Sequence, residues 1–298
     1  MTGRLRVNEF MIITSGGIPL FHYSPHETRK LDSLLSGFLS AISSFATEFG
    51  ERSVQSLSFE GSEILYQTES EALFIFLVES GAPERVLRAV LRDLSHRFLT
   101  RYGRELKKDI HVEDAFEDFG QEVKRSFSFY EGILLVTSSL SSFVVPRLDQ
   151  LAFDAASDSM GLLDQFHRDF GGFGNRILES IDGKISIYEM SQTLGFEAEQ
   201  ISEVIEYLTI WGVVGISKMC PVLQEEDARF DIYLDLVGLP SKDNQILNRA
   251  KPLCTGSKSV VEVSEKIGVT AEKLFEVLGR LGNAVSWKLV EVTVAQDQ

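Results

Sequence analysis

The stretch "FMIITSGGIPLFHY", residues 10–23, sets a Gly-Gly pair between two apolar runs. Such a pair can be a loop that cradles phosphate or the turn of a hairpin. A phosphate loop follows a strand and opens a helix, because the anion rests on backbone N–H groups at the helix N-terminus. Here Ile18-Pro19-Leu20-Phe21-His22-Tyr23 follows instead, an alternating segment with a proline that no helix interior accepts. The residues therefore predict a β-hairpin. Gly16 and Gly17 supply the positive φ of a tight turn, and Pro19 puts the second strand at or along a sheet edge.

Outward from the hairpin, apolar positions Leu31, Leu34, Leu35, Phe38, Ile42, Phe45 and Phe49 recur at three- and four-residue steps. They predict an amphipathic helix over 28–49 with these side chains turned inward. "SVQSLSF" (53–59), "EILYQT" (63–68) and "ALFIFLV" (72–78) then read as three consecutive antiparallel strands. The last is apolar almost without alternation, so both its faces must be covered and it belongs at the centre of the sheet. Pro83 opens a second helix whose inner face carries Val86, Leu87, Val90, Leu91, Leu94 and Phe98. A third carries Val112, Phe116, Phe119, Val123 and Phe127.

The order strand, strand, helix, three strands, helix, helix over residues 5–128 resembles the longin domain, a relative of the roadblock and profilin-like folds. "SGGIPLFHYS" is similar to the first hairpin of that family. The resemblance implies an α+β fold: an antiparallel five-stranded sheet with flanking helices over residues 1–128. It also implies a domain that binds small GTPases, SNARE segments or another longin or roadblock protein and carries no chemistry. Longin SNAREs end in a coiled coil and a membrane anchor, and neither pattern occurs here, which sets the SNARE branch aside.

Residues 129–160 read as a linker or hairpin, with "GILLVTSSLSSFVVP" and the polar "DAASDSMG". From 161 to 240 the rhythm is that of a winged helix. A helix ends near Ile181, a short helix spans Ile187–Leu194, a third spans Glu197–Trp211, and a strand from Val213 begins a wing that "RFDIYLDL" (229–236) could close. A weaker copy over 241–298 makes tandem winged-helix domains the expectation. The layout of a longin domain followed by winged helices resembles subunits of small-GTPase-regulating complexes.

Charge decides what these modules could hold. The chain has 44 acidic and 29 basic side chains and a net charge of −15. From Gly161 onward there are 21 acidic and 13 basic side chains, a net of −8. The third helix of the first module carries Glu197, Glu199, Glu203 and Glu206 and neither Lys nor Arg, so DNA phosphates would be repelled. Protein is the expected partner. The alternative is a winged-helix transcriptional regulator with a sensory N-terminal domain. Cys220 and Cys254 form no metal or redox pair, and no apolar run reaches the roughly 18 residues that cross a bilayer. A cytoplasmic protein is expected.

Signatures of catalysis are weak. "CTGSKS" (254–259) lacks the lysine and leading glycine of a phosphate loop, and "DFGGFGN" (169–175) reads as a flexible joint. His22 and His26 have no third ligand nearby, so neither a metal nor a cofactor is expected. In GTPase-activating longin proteins an arginine precedes the central strand. The matching positions here are Ser70 and Glu71, so an enzyme is not expected.

Two surfaces are the candidate sites. Ser33, Gly37, Ser40, Ser44 and Thr47 form a stripe of small uncharged residues on the first helix that would let a partner backbone approach closely. Arg85, Arg88 and Arg92 share one face of the second helix and would meet an anionic partner, whether a small GTPase or an acidic membrane surface. A homodimer or heterodimer is compatible with either. The sequence thus points to a non-enzymatic scaffold or regulator of a Ras-like small GTPase in a trafficking- or signalling-type complex.

Overall fold

The computed structural model describes residues 5–25, 33–48, 55–69, 72–106, 116–223 and 238–292. The chain divides into two compact units, one ending at Leu135 and the other beginning at Val136.

In the first unit, β1 (Val7–Thr14) and β2 (Pro19–Tyr23) form the hairpin. Gly17 has φ 82°, its N–H donates to Thr14 O at 2.9 Å, and the Thr14 N–H donates to Ile18 O at 2.9 Å. Next come α1 (Ser33–Glu48), β3 (Ser56–Phe59), β4 (Ser62–Thr68), β5 (Ala72–Glu79), α2 (Glu84–Leu106) and α3 (Phe119–Thr137). Val112, expected on the third helix, lies outside the described residues. The five strands are antiparallel in the order β2-β1-β5-β4-β3. The unbroken apolar run of β5 is at the centre, with Leu73, Phe74, Ile75 and Phe76 all buried.

Period-two alternation splits that run between two layers. Leu73 and Ile75 join Met11, Ile13, Ile64, Tyr66 and Leu39 of α1 on one face. Phe74 and Phe76 meet Phe98 of α2 and Phe127 of α3 on the other, each ring pair at 5.8 Å. Tyr66 is 3% exposed, and its hydroxyl has no hydrogen-bond partner among the described residues. Burial pushes its phenol pKa well above the ordinary value. An unsatisfied buried hydroxyl costs about 1–3 kcal/mol. Tyr66→Phe is therefore expected to stabilise the first unit by about 1 kcal/mol, seen as a rise in its calorimetric midpoint; a fall would mean that the hydroxyl is satisfied.

The second unit contains β6 (Val144–Leu148), α4 (Gln150–Met160), α5 (Leu162–Ser180), α6 (Ile187–Leu194), α7 (Ala198–Ile210), β7 (Val214–Leu223), α8 (Ser241–Ala250), α9 (Val260–Ile267), α10 (Ala271–Gly279) and β8 (Val285–Glu291). Residues 129–160 are thus not a linker or hairpin. They finish α3 and supply β6 and α4, which Asp149 caps by accepting from the Ala152 N–H at 3.0 Å and which Gly161 ends at φ 67°. "DFGGFGN" does hold a joint: α5 is two helical stretches that meet at Gly171, whose backbone is non-helical (φ 55°, ψ −144°).

The helices after β6 repeat one construction. Ser186 and Glu189 close a reciprocal capping box on α6, and Ser259 and Glu262 close the same box on α9. Gly195 and Gly268 end those helices at φ 72° and 66°. Among the described residues the two helix sets share one sheet. A single antiparallel sheet, β6-β7-β8, pairs Val145 with Ser217 on one side of β7 and Leu223 with Val285 on the other. "RFDIYLDL", expected to close the first wing, lies outside the described residues. Asp243, 4% exposed, ties α8 to the second set by accepting from Arg280 and pairing with Lys273 at 3.0 Å.

The Glu262 carboxylate accepts from the Ser259 N–H at 2.7 Å, and this bond holds its pKa below the ordinary value against the opposing effect of burial. A depressed carboxyl pKa contributes stability that is present above the unfolded-state value and is lost as pH falls through the folded-state value. The stability gap between the natural chain and Glu262→Gln is expected to be widest near neutral pH and to close on acidification. Urea midpoints of both proteins across that range check it, and a gap independent of pH would contradict the assignment.

Candidate partner-binding surfaces

On α1 the described side chains reverse part of the expected facing. Leu39 and Ser40 are buried against the sheet, and the Ser40 hydroxyl donates to Ser15 O at 2.6 Å. Phe38 and Phe45, expected in the core, are 51% and 61% exposed. With Gly37 and Ala41, also exposed, they occupy the outer face at helical spacing. The stripe of small residues is therefore not one surface. Gly37 faces outward and Ser40 inward, while the side chains of Ser33, Ser44 and Thr47 are outside the described set. A serine on the sheet side has a physical reason, since its small side chain lets the helix sit close to β1 and its hydroxyl satisfies a hairpin carbonyl.

The sheet's edge at β3 adds to the apolar exposure. Among the described strands β3 pairs only with β4, and Phe59 at its end is 50% exposed. Exposed aromatic side chains and an open edge strand are the usual raw material of protein docking.

The arginines of α2 are less available than their number suggests. Arg88 is clamped by Glu84, with Nε and Nη2 donating to Oε1 at 2.9 and 2.7 Å. Arg97 donates to Asp93 at 2.9 Å and lies 3.6 Å from Glu122, and Arg101 lies 3.7 Å from Asp118. Arg85 is exposed and Arg92 half-buried, and neither is without a partner. The helix therefore carries ion pairs along its length. Ser70 and Glu71, at the place of the activating arginine, lie outside the described residues.

A groove of about 560 Å³ runs between the outer edge of β2 and the start of α3, lined by Pro19–Tyr23, Glu117, Gly120, Gln121 and Lys124. Burial raises the Tyr23 phenol pKa above its ordinary value. No group of three or more His, Cys, Asp or Glu that could hold a metal occurs among the described residues. None of their helices is long and apolar enough to cross a membrane.

Residues 8–133 match the family model described as the first longin domain of FUZ, MON1 and HPS1. The first unit is a longin domain. Among solved structures, the gliding protein MglB from Thermus thermophilus is 14% identical over 39% of this chain and 79% of its own, with a TM-score of 0.23. An MglB structure with a tetrameric arrangement gives the same identity, coverage and TM-score. No curated protein matches the chain. The α1 face, the β3 edge and the groove beside β2 all belong to the longin domain.

On the second unit, Glu199 and Glu203 of α7 are exposed and Glu206 is half-buried. That helix presents carboxylates at its surface, as its sequence implied.

Proposed function

We propose that the chain is a non-enzymatic subunit of a complex that regulates a Ras-like small GTPase, with the longin domain as its docking module. The observation that carries this reading is the outer face of α1, where Phe38 and Phe45 stand exposed together in a domain of the FUZ, MON1 and HPS1 longin type. Buried aromatic anchors supply most of the binding energy in protein interfaces, and two aromatic residues more than half exposed on one helix face are the kind that such interfaces bury. The partner at that face is another longin or roadblock protein, and the GTPase engages the assembled pair. The second unit, with carboxylates along α7 and one sheet shared by two helix sets, serves as a cytoplasmic scaffold for further protein contacts.

The test is capture of purified Ras-like GTPases in nucleotide-free, GDP and GTP-analogue states by the full chain, alone and together with candidate longin partners. Binding that depends on both the partner and the nucleotide state is the expected result. Tight, steeply salt-dependent binding to random duplex DNA, with no GTPase retained in any state, would overturn the reading.

A further inference from the structure

The groove beside β2 lies apart from the α1 face and the β3 edge, and its geometry is that of a strand-addition site. β2 ends the sheet order, so no described strand pairs with its outer edge, and alternate backbone N–H and C=O groups along it face away from β1. Pro19 lacks an N–H and limits this pairing to the residues that follow it. The other wall is α3 and the turn before it. Gly120 sits there, and a Cβ added to it would meet nothing within 4 Å, so the groove is open above the helix backbone.

Its charges are distinctive. The neighbouring acidic residues of that wall are engaged, Asp118 with Arg101 and Glu122 with Arg97 and Arg125. Glu117 and Lys124, the two charged residues lining the groove from that wall, are both exposed, and neither has an ion-pair partner among the described residues. Seven positions apart on a helical path, they stand about 10 Å from each other along the axis. Ring contacts set the direction: Phe21 packs on Phe119 at 5.5 Å and Tyr23 on Phe127 at 5.7 Å, so β2 and α3 run the same way. Glu117 is thus at the Pro19 end of the groove and Lys124 toward the Tyr23 end.

We propose that this groove takes an extended peptide segment of a partner protein as a sixth strand, antiparallel to β2, carrying an acidic residue and, further along, a basic one. An antiparallel strand enters at the Tyr23 end, so its acidic side chain meets Lys124 first and its basic side chain meets Glu117 later. Residues on one face of a strand repeat every second position, about 6.7 Å apart. The four-residue spacing, about 13 Å, brackets the two groove charges within reach of their side chains. The backbone ladder supplies affinity and the charge order supplies direction.

Two displayed heptapeptide libraries test this on the full chain, one with Asp or Glu at the second position and Lys or Arg at the sixth, the other with that order reversed. Valine at the fourth position and random residues elsewhere complete both, and a library without charges is the reference. The expected result is enrichment of the acid-first library. Gly120→Phe, which fills the groove without a backbone clash, should weaken selected clones at least tenfold with an unchanged melting curve. The double variant Glu117→Lys/Lys124→Glu should switch the preference to the base-first library. No enrichment over the uncharged library, enrichment indifferent to Gly120→Phe, or a base-first preference of the natural chain would each overturn the proposal.

Discussion

Gly174→Ala is expected to destabilise the second unit by about 2 kcal/mol, and Gly174→Val to prevent its folding at ordinary temperature. Gly174 is buried in α5, one turn beyond the bend at Gly171. A methyl group built on it would lie 2.5 Å from Phe170 Cβ and 2.9 Å from the Phe166 ring. Neither can yield easily. Phe166 is fully buried and packs on Phe170 at 5.3 Å, and Phe170 meets Tyr207 of α7 edge-on at 5.0 Å. Alanine's better helix propensity, worth up to about 1 kcal/mol, opposes the clash without matching it. Gly172 is the internal control: it is exposed, and an added Cβ meets nothing within 4 Å. Gly172→Ala should stabilise the same helix by about 0.5–1 kcal/mol. Trp211 and Trp287, the chain's two tryptophans, both lie in the second unit, so their fluorescence under urea reports the unit concerned. Equal stability of the two alanine variants would refute the packing argument.

What the sequence disclosed follows the range of the interactions involved. The hairpin was legible because its signal is local: two glycines for the turn, then a proline and an alternating strand. The central place of β5 was legible because an unbroken apolar run has to be covered on both faces. The facing of α1 was not, because its small and apolar residues recur with the same helical period and periodicity cannot say which set meets the sheet. Ser40 inside and Phe38 outside were decided by close packing on β1, a tertiary choice. The helix over 150–160 was hidden by polar composition, since only Phe153 and Ala156 are buried in it, although its Asp149 cap was present in the text. The shared sheet in the second unit depends on pairing β6 with a strand far along the chain, for which a single sequence holds no local cue. Within α2, the four-residue spacings Glu84–Arg88 and Asp93–Arg97 announced ion pairs. Those that come across from α3, through Asp118 and Glu122, did not.

The double variant Phe38→Asp/Phe45→Asp is expected to abolish association of the longin domain with its partner while leaving the monomer folded. Phe38 and Phe45 are both more than half exposed in the isolated chain, so neither belongs to the buried core. In a complex each becomes a desolvated anchor, and truncating an anchor of that kind costs about 2 kcal/mol or more, over thirtyfold in affinity. Two carboxylates in the same interface add a burial penalty of their own, so the combined loss should exceed 100-fold, an order-of-magnitude expectation from those costs. Size-exclusion chromatography with light scattering reads self-association, and a biosensor loaded with a captured longin or roadblock partner reads the heteromeric complex. Gly37→Arg serves as a second probe of the same face, because an added Cβ there meets nothing within 4 Å and so disturbs no packing. Ser40→Arg would behave differently: it breaks the hydrogen bond to Ser15 O and forces a charge between helix and sheet, so it should unfold the domain rather than merely free it from its partner. If the double aspartate variant keeps full affinity and Gly37→Arg does too, the docking face is not on α1, and the β3 edge with Phe59 becomes the surface to alter next.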